Sequence, residues 1–180
     1  MSIADCTISS VLVSTFEVAS SSIKNGVYFA STVGEETTGR GSVFATSMIN
    51  PTLAIILDVG SSSDVAYRNN FTRDIKLGGG PMFTVSSYGN EKLCNMLKSV
   101  AIKHNIPHQE VVEYSKSWTD LDTIYKQNGG IPSTLISIPL RYMHSSVEVG
   151  SLKDVEYIIN LLVEFIKDLD ESISFDPFKK

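Results

Sequence analysis

Leu53-Ala54-Ile55-Ile56-Leu57 is a run of consecutive apolar residues that ends at Asp58. An apolar run of this length is typical of a strand in a parallel sheet, where helices cover both faces. Residues 133–138 predict a second buried strand far downstream. The two segments predict that a buried sheet forms the centre of the fold.

The pattern of apolar residues on either side of these runs predicts further strands and helices. The predicted strands are residues 27–33, 53–57, 82–86, 109–112 and 133–138, and the predicted helices are residues 3–20, 40–49, 91–104, 120–127 and 151–169. Because strands and helices alternate, the fold class is α/β, with a mostly parallel, twisted sheet and helices on both faces. The C-terminal tail, residues 171–180, is expected to be frayed.

Length and composition narrow the function classes. A chain of 180 residues fits a single domain, and 42% hydrophobic with 19% charged residues excludes disorder, coiled coil and collagen. The formal net charge is −5 and no basic block occurs, which excludes an electrostatic footprint for nucleic acid. No apolar run reaches the roughly 20 residues of a membrane span. Two distant cysteines and no visible secretory signal predict a cytoplasmic protein.

Polar residues follow three of the predicted strands, where parallel sheets bind ligands. Glu35 and Glu36 follow residues 27–33, Asp58 follows residues 53–57, and Arg141 and His144 follow residues 133–138. Carboxylates with an imidazole are the ligands expected for zinc, cobalt or manganese. Taken singly, each residue also fits an ordinary role, such as a solvated loop carboxylate or a hydrogen-bonded histidine. The metal-site hypothesis therefore depends on their joint occurrence.

Two further motifs have structural interpretations. Gly78-Gly79-Gly80 lacks the Gly-Lys-Ser/Thr sequence of a phosphate-binding loop, and it indicates a turn with a close backbone approach. Ser151 with Asp154 three residues later is typical of a capping box at the start of the last helix.

Five ordered motifs give the chain a resemblance to the glutamyl or deblocking aminopeptidases, dinuclear metallopeptidases that form tetrahedral assemblies. The resemblance extends from about Asp5 to Leu169. Its motifs are residues 32–41, Leu57-Asp58-Val59, residues 77–81, Trp118-Thr119-Asp120 and residues 139–148, which include Arg141-Tyr142-Met143-His144-Ser145. The last motif is the most specific of the five.

The resemblance implies roles for the polar residues. Glu35 matches the general base that activates the nucleophilic water, and Glu36 and His144 match terminal ligands of one metal ion. Asp58 matches a terminal ligand of the other ion, and Asp5 matches the aspartate that bridges both. Cys6 and Thr7 follow Asp5, where the family has Asn or Asp and then Arg. Asp120 and Arg141 are predicted to contact the substrate.

In the family, another histidine ligand and an inserted β-rich assembly domain lie upstream of the bridging aspartate. The 180 residues resemble the second half of such a catalytic domain. We therefore expect a single, partial catalytic domain over residues 1–180. A complete site of the family holds two divalent ions, zinc or cobalt, and we expect this chain to hold fewer.

The resemblance implies a metal-dependent aminopeptidase that releases N-terminal residues from peptides by a co-catalytic dinuclear mechanism. The alternative is a truncated, inactive remnant of that fold, and a glucanase activity, a label carried by some relatives, is less favoured. Peptides are the expected partners, without nucleic acid or membrane. The family forms large homo-oligomers, whereas the assembly domain is not among these residues. The metal, the preferred substrate residue and the oligomeric state stay open.

Overall fold

The computed structural model describes residues 25–65, 74–170 and 172–175. The predicted helix over residues 3–20 lies outside the described residues, as do Cys6 and Asp5, the residue expected to bridge two metal ions. So does most of the predicted frayed tail, residue 171 and residues 176–180.

The described chain alternates helices and strands, as predicted. In order they are α1 (Arg40–Ile49), β1 (Ala54–Ser61), β2 (Met82–Ser86), α2 (Glu91–Lys103), β3 (Gln109–Glu113), α3 (Leu121–Ile124), a 3-10 helix (Gln127–Gly129), β4 (Ser133–Arg141), β5 (Val149–Gly150) and α4 (Leu152–Asp168). Each predicted helix within the described residues is present, although the one predicted over residues 120–127 is shortened to α3.

The sheet has the strand order β1-β4-β2-β3, and β5 pairs with β4. The longer ladders are parallel: β1 pairs with β4 from Ala54 opposite Ser133 to Ser61 opposite Leu140, and β2 pairs with β3. Two short ladders, β2 with β4 and β4 with β5, are antiparallel. The α/β class and the mainly parallel pairing are confirmed, and the sheet is mixed.

Helices cover both faces of the sheet. Successive residues of β4 point to opposite faces, so neighbouring residues of this strand pack against different helices. Ile136 belongs to the main core with Phe83, Leu97 of α2 and Ile158 of α4. Its neighbour Leu135 packs with Ile56 and Leu121 of α3 in a second cluster. Eight of the nine residues of β4 are buried, all but Arg141, and such burial is typical of a central strand.

The strand predicted over residues 27–33 is not formed, and the strand predicted over residues 53–57 ends later than expected. Residues 26–32 carry no regular secondary structure in the described chain, although their β-branched and aromatic residues favour a strand. Strand β1 does not end at Asp58, because the ladder with β4 continues to Ser61. Asp58 therefore lies inside a strand, opposite Ser137.

None of the helices in the described ranges is both long enough and apolar enough to cross a lipid bilayer.

Candidate active site

A turn that begins at Gly34 contains the two adjacent glutamates, Glu35 and Glu36. Gly34 has φ +73°, a conformation that glycine adopts without strain. Its carbonyl accepts the N–H groups of Thr38 at 2.9 Å and Gly39 at 2.8 Å, which closes a tight turn over the glutamates. In a regular strand, Glu35 and Glu36 would point to opposite faces. The predicted departure from the extended conformation at Gly34 is confirmed.

Asp58 reaches the site from the middle of β1. The N–H groups of Ala54 and Ser62, at the two ends of β1, donate to the carbonyls of Pro132 and Leu140 at either end of β4. Because N–H groups along a strand point alternately to its two sides, the N–H of Val59 points away from β4. On that outer edge, Asp58 Oδ1 accepts the N–H of Val59 at 2.7 Å. Burial raises the pKa of Asp58 to about 6, and the charge of Asp120 acts in the same direction.

His144 follows β4 and approaches Glu36. Its Nδ1 lies 3.9 Å from Glu36 Oε1, and both side chains are exposed. The backbone of His144 has φ +62°, an uncommon conformation for a residue other than glycine. Glu148 stabilises this turn, because its Oε1 accepts the His144 N–H at 2.8 Å.

One cleft of about 1770 Å³ joins these side chains. It is lined by Glu35, Glu36, Asp58, Asp120 and His144, among others. Burial, together with the charges of Asp58 and Glu36, raises the pKa of Glu35 to about 7. A carboxylate with a pKa near neutrality can both accept and release a proton at physiological pH.

Asp120 is a buried member of this group. Its Oδ2 accepts the hydroxyl of Thr32 at 2.6 Å. Its Oδ1 is also buried, and it meets no hydrogen-bond partner among the described residues. An acceptor without a donor in a carboxylate-rich cleft favours a bound cation.

Arg141 is engaged elsewhere. Its Nε and Nη2 donate to Asp64 Oδ1 and Oδ2 at 3.1 and 2.7 Å, a two-point pair. Asp64 Oδ2 also accepts the N–H of Leu77 at 3.2 Å, so the pair holds the segment before the glycine loop. The predicted contacts of Arg141 and Asp120 with substrate stay predictions.

The donor set fits divalent ions of the zinc class. Glu36 and His144 converge from different parts of the chain, and carboxylate with imidazole is a ligand combination that zinc and cobalt accept. Burial and, to a smaller extent, neighbouring carboxylates raise the pKa of Glu35 and Asp58, and a bound cation would offset the effect of that negative charge. Across the residues that the structure describes, no three such side chains already form a metal site, and Asp5 lies outside them.

Some residues of the site escaped prediction. Glu148, which positions His144, belongs to the motif over residues 139–148, and its spacing of four residues from His144 is the available signal. Asp122 braces the turn before Asp120 and adds to the negative charge near Glu35. Nothing local in the sequence indicates that role.

Comparison with known proteins places the site in context. The M42 glutamyl aminopeptidase family matches residues 6–161. A lysyl aminopeptidase of Pyrococcus furiosus is 32% identical over 147 residues, which is 80% of this chain and 42% of that protein. The crystal structure of a TET aminopeptidase from a marine sediment archaeon of the Thaumarchaeota matches with a TM-score of 0.86 and 31% identity. That match covers 93% of this chain and 48% of the archaeal one.

A second solved structure, aminopeptidase APDkam598 from Desulfurococcus kamchatkensis, matches with a TM-score of 0.83 and 32% identity. It covers 92% of this chain and 48% of the other. The chain therefore spans less than half the length of each of these three proteins.

Proposed function

Because the chain belongs to the M42 glutamyl aminopeptidase family, we propose that it acts in the release of N-terminal residues from peptides. The observation that carries the proposal is the convergence of Glu35, Glu36, Asp58 and His144 on one cleft. The polarity of the cleft supports it as well, since a free peptide N-terminus is an ammonium group and the cleft is rich in carboxylates.

We propose that Glu36 and His144 bind one divalent ion and Asp58 binds a second, with Asp5 bridging the two. These ions, zinc or cobalt, would supply Lewis-acid polarisation of the scissile carbonyl and of a water molecule. The fit rests on the donor types and on the excess negative charge described above. The roles of the individual residues follow from the family resemblance.

Glu35 is the proposed proton carrier. Its pKa of about 7 suits a group that takes a proton from the attacking water and then passes it to the leaving amine. The adjacent carboxylates hold the substrate ammonium, which limits cleavage to the first residue of the peptide.

Glutamine variants separate the two adjacent glutamates. Glu35→Gln should lower kcat by about 10²–10⁴-fold and leave metal content unchanged, because the amide cannot accept the proton. Glu36→Gln should lower metal affinity, because a neutral amide is a poorer ligand than a carboxylate. Turnover of leucine p-nitroanilide and metal content by mass spectrometry, measured together, test both predictions.

Glu156→Gln is the matched control, since Glu156 is exposed on α4 and is not among the residues that line the cleft. It should change neither quantity. Near-normal turnover in Glu35→Gln, or loss of metal in that variant alone, would contradict the division of roles. Metal binding without turnover in the unmodified protein would favour the alternative of an inactive, metal-binding member.

Self-association into a homo-oligomer is the remaining part of the proposal, and it rests on the family resemblance. Sedimentation velocity of the purified protein tests it directly, because an oligomer sediments faster than a 19.7 kDa monomer.

A further inference from the structure

Trp118 is the one tryptophan of the sequence, and its setting is unusual. Its side chain is 80% exposed. Its backbone has φ +59°, which is a genuine outlier for a bulky residue. Conformations of this kind concentrate at functional sites, where surrounding contacts hold them.

Hydrogen bonds hold the Trp118 turn in place. Asp122 Oδ2 accepts the Trp118 N–H at 2.9 Å, and Asp122 Oδ1 accepts the N–H and the hydroxyl of Ser117 at 3.0 and 2.8 Å. The hydroxyl oxygens of Ser117 and Thr119 lie 2.9 Å apart and form a further hydrogen bond within the same turn. The backbone is therefore fixed while the indole projects outward, where it contacts Lys116 Nζ at 5.9 Å from the ring centroid.

The fixed indole belongs to the wall of the catalytic cleft. Trp118 lines the same cavity as Glu35, Asp58 and His144. The connection to the proton carrier is also electrostatic, because Asp122, which holds Trp118, is one of the charges that act on Glu35. The cleft that contains the carboxylates proposed to hold a substrate ammonium thus also exposes a large apolar surface in its wall.

We infer that Trp118 contacts the side chain of the substrate's N-terminal residue and favours large apolar side chains there. This inference rests on the proposed function. An aromatic side chain can bury roughly 150–250 Å² of surface. A substrate side chain would cover part of the exposed face of the indole. The turn is already ordered, so binding need not order it.

Intrinsic fluorescence tests the contact without turnover. Leucinol has the free amine and side chain of leucine but no bond to cleave, and ethanolamine is the same molecule without the side chain. Since Trp118 is the one tryptophan, a saturable change in its emission on adding leucinol reports directly on this residue. We expect that change with leucinol and a much weaker one with ethanolamine. Equal responses, or none with leucinol, would overturn the inference.

Kinetics give the second test. Trp118→Ala should raise KM for leucine p-nitroanilide by about 10-fold or more and change KM for glycine p-nitroanilide little. On each substrate, kcat of the variant should stay close to that of the unmodified protein. Trp118→Phe should restore part of the preference. Tyr114→Ala is the matched control, because Tyr114 is 94% exposed in the same region but is not among the residues lining the cleft.

The outcomes distinguish this inference from the proposed function. If Glu35→Gln is inactive while Trp118→Ala keeps the ratio of the KM values for leucine and glycine p-nitroanilide, the proposed function stands and the role of Trp118 is wrong. If the unmodified protein shows no turnover, the proposed function fails and the leucinol titration alone decides the contact.

Discussion

Gly80 is the position where a single methyl group should do the most damage. A Cβ built there would lie 1.8 Å from the Pro107 carbonyl oxygen and 3.0 Å from the His108 nitrogen. The backbone also has φ +90°, which L side chains rarely adopt. Gly129 has a similar φ of +84° but no atom within 4 Å of its Cβ position, so it is a control for backbone strain alone.

The two substitutions should differ by the size of the collision. Positive φ costs alanine about 1–2 kcal/mol at either position. At Gly80 the loop must also move by about 1 Å, and overpacking typically costs about 1–3 kcal/mol. Movement would weaken the hydrogen bond from the Gly80 N–H to Asp154 Oδ1, now 2.8 Å. We therefore expect Gly80→Ala to be less stable than Gly129→Ala by at least about 2 kcal/mol.

Urea unfolding followed by far-ultraviolet circular dichroism measures the difference. With slopes of about 1–3 kcal/mol per molar urea, 2 kcal/mol moves the midpoint by about 1 M. If Gly80→Ala does not fold while Gly129→Ala does, the result agrees in direction. Equal midpoints for the two variants would refute the steric reasoning.

Two further predictions concern carboxylates that hold the same loop. Asp154→Asn should lower the free energy of unfolding by about 1–3 kcal/mol, because the amide has one acceptor oxygen for the N–H groups of Gly78 and Gly80, and a urea titration measures it. For Asp64, the hydrogen bonds from Arg141 hold the pKa at about 2, below the usual 3.8. That lowered pKa stabilises the fold above about pH 4, and the stabilisation is lost as the pH falls towards 2. Thermal melts between pH 2 and 6 should show a flatter profile for Asp64→Asn, and identical profiles would contradict the assignment.

Local sequence patterns predicted most of the elements because their causes are local. Helix α2 is amphipathic and its Asn90 side chain caps it by accepting the Leu93 N–H at 2.9 Å. Residues 26–32 show the limit of such patterns. Composition indicates that a segment can pair as a strand, but pairing also requires a neighbouring strand in register.

The site was predictable where motifs fix it and unpredictable where distant contacts do. Glu35 and Glu36 both line the cleft because the turn that begins at Gly34, their sequence neighbour, takes them out of the extended conformation. Asp154 shows the opposite case. The predicted capping box is not formed, since Ser151 makes no side-chain cap and Asp154 is fully buried. Its carboxylate binds amides 74 and 76 residues away, and spacing within one helix contains no information on such a contact.

The position of β4 in the sheet has a consequence for the order of assembly during synthesis. This strand lies between β1 and β2, yet it follows both of them along the chain. Before residues 133–141 leave the ribosome, β1 has no partner in the described sheet and the β2–β3 pair cannot join it. Until then, β1 and the β2–β3 pair each expose the strand edge that β4 later covers in the described sheet. Exposed strand edges are prone to pair wrongly in a nascent chain. Slower translation just after β4 would give the sheet time to close before the last helix packs on it.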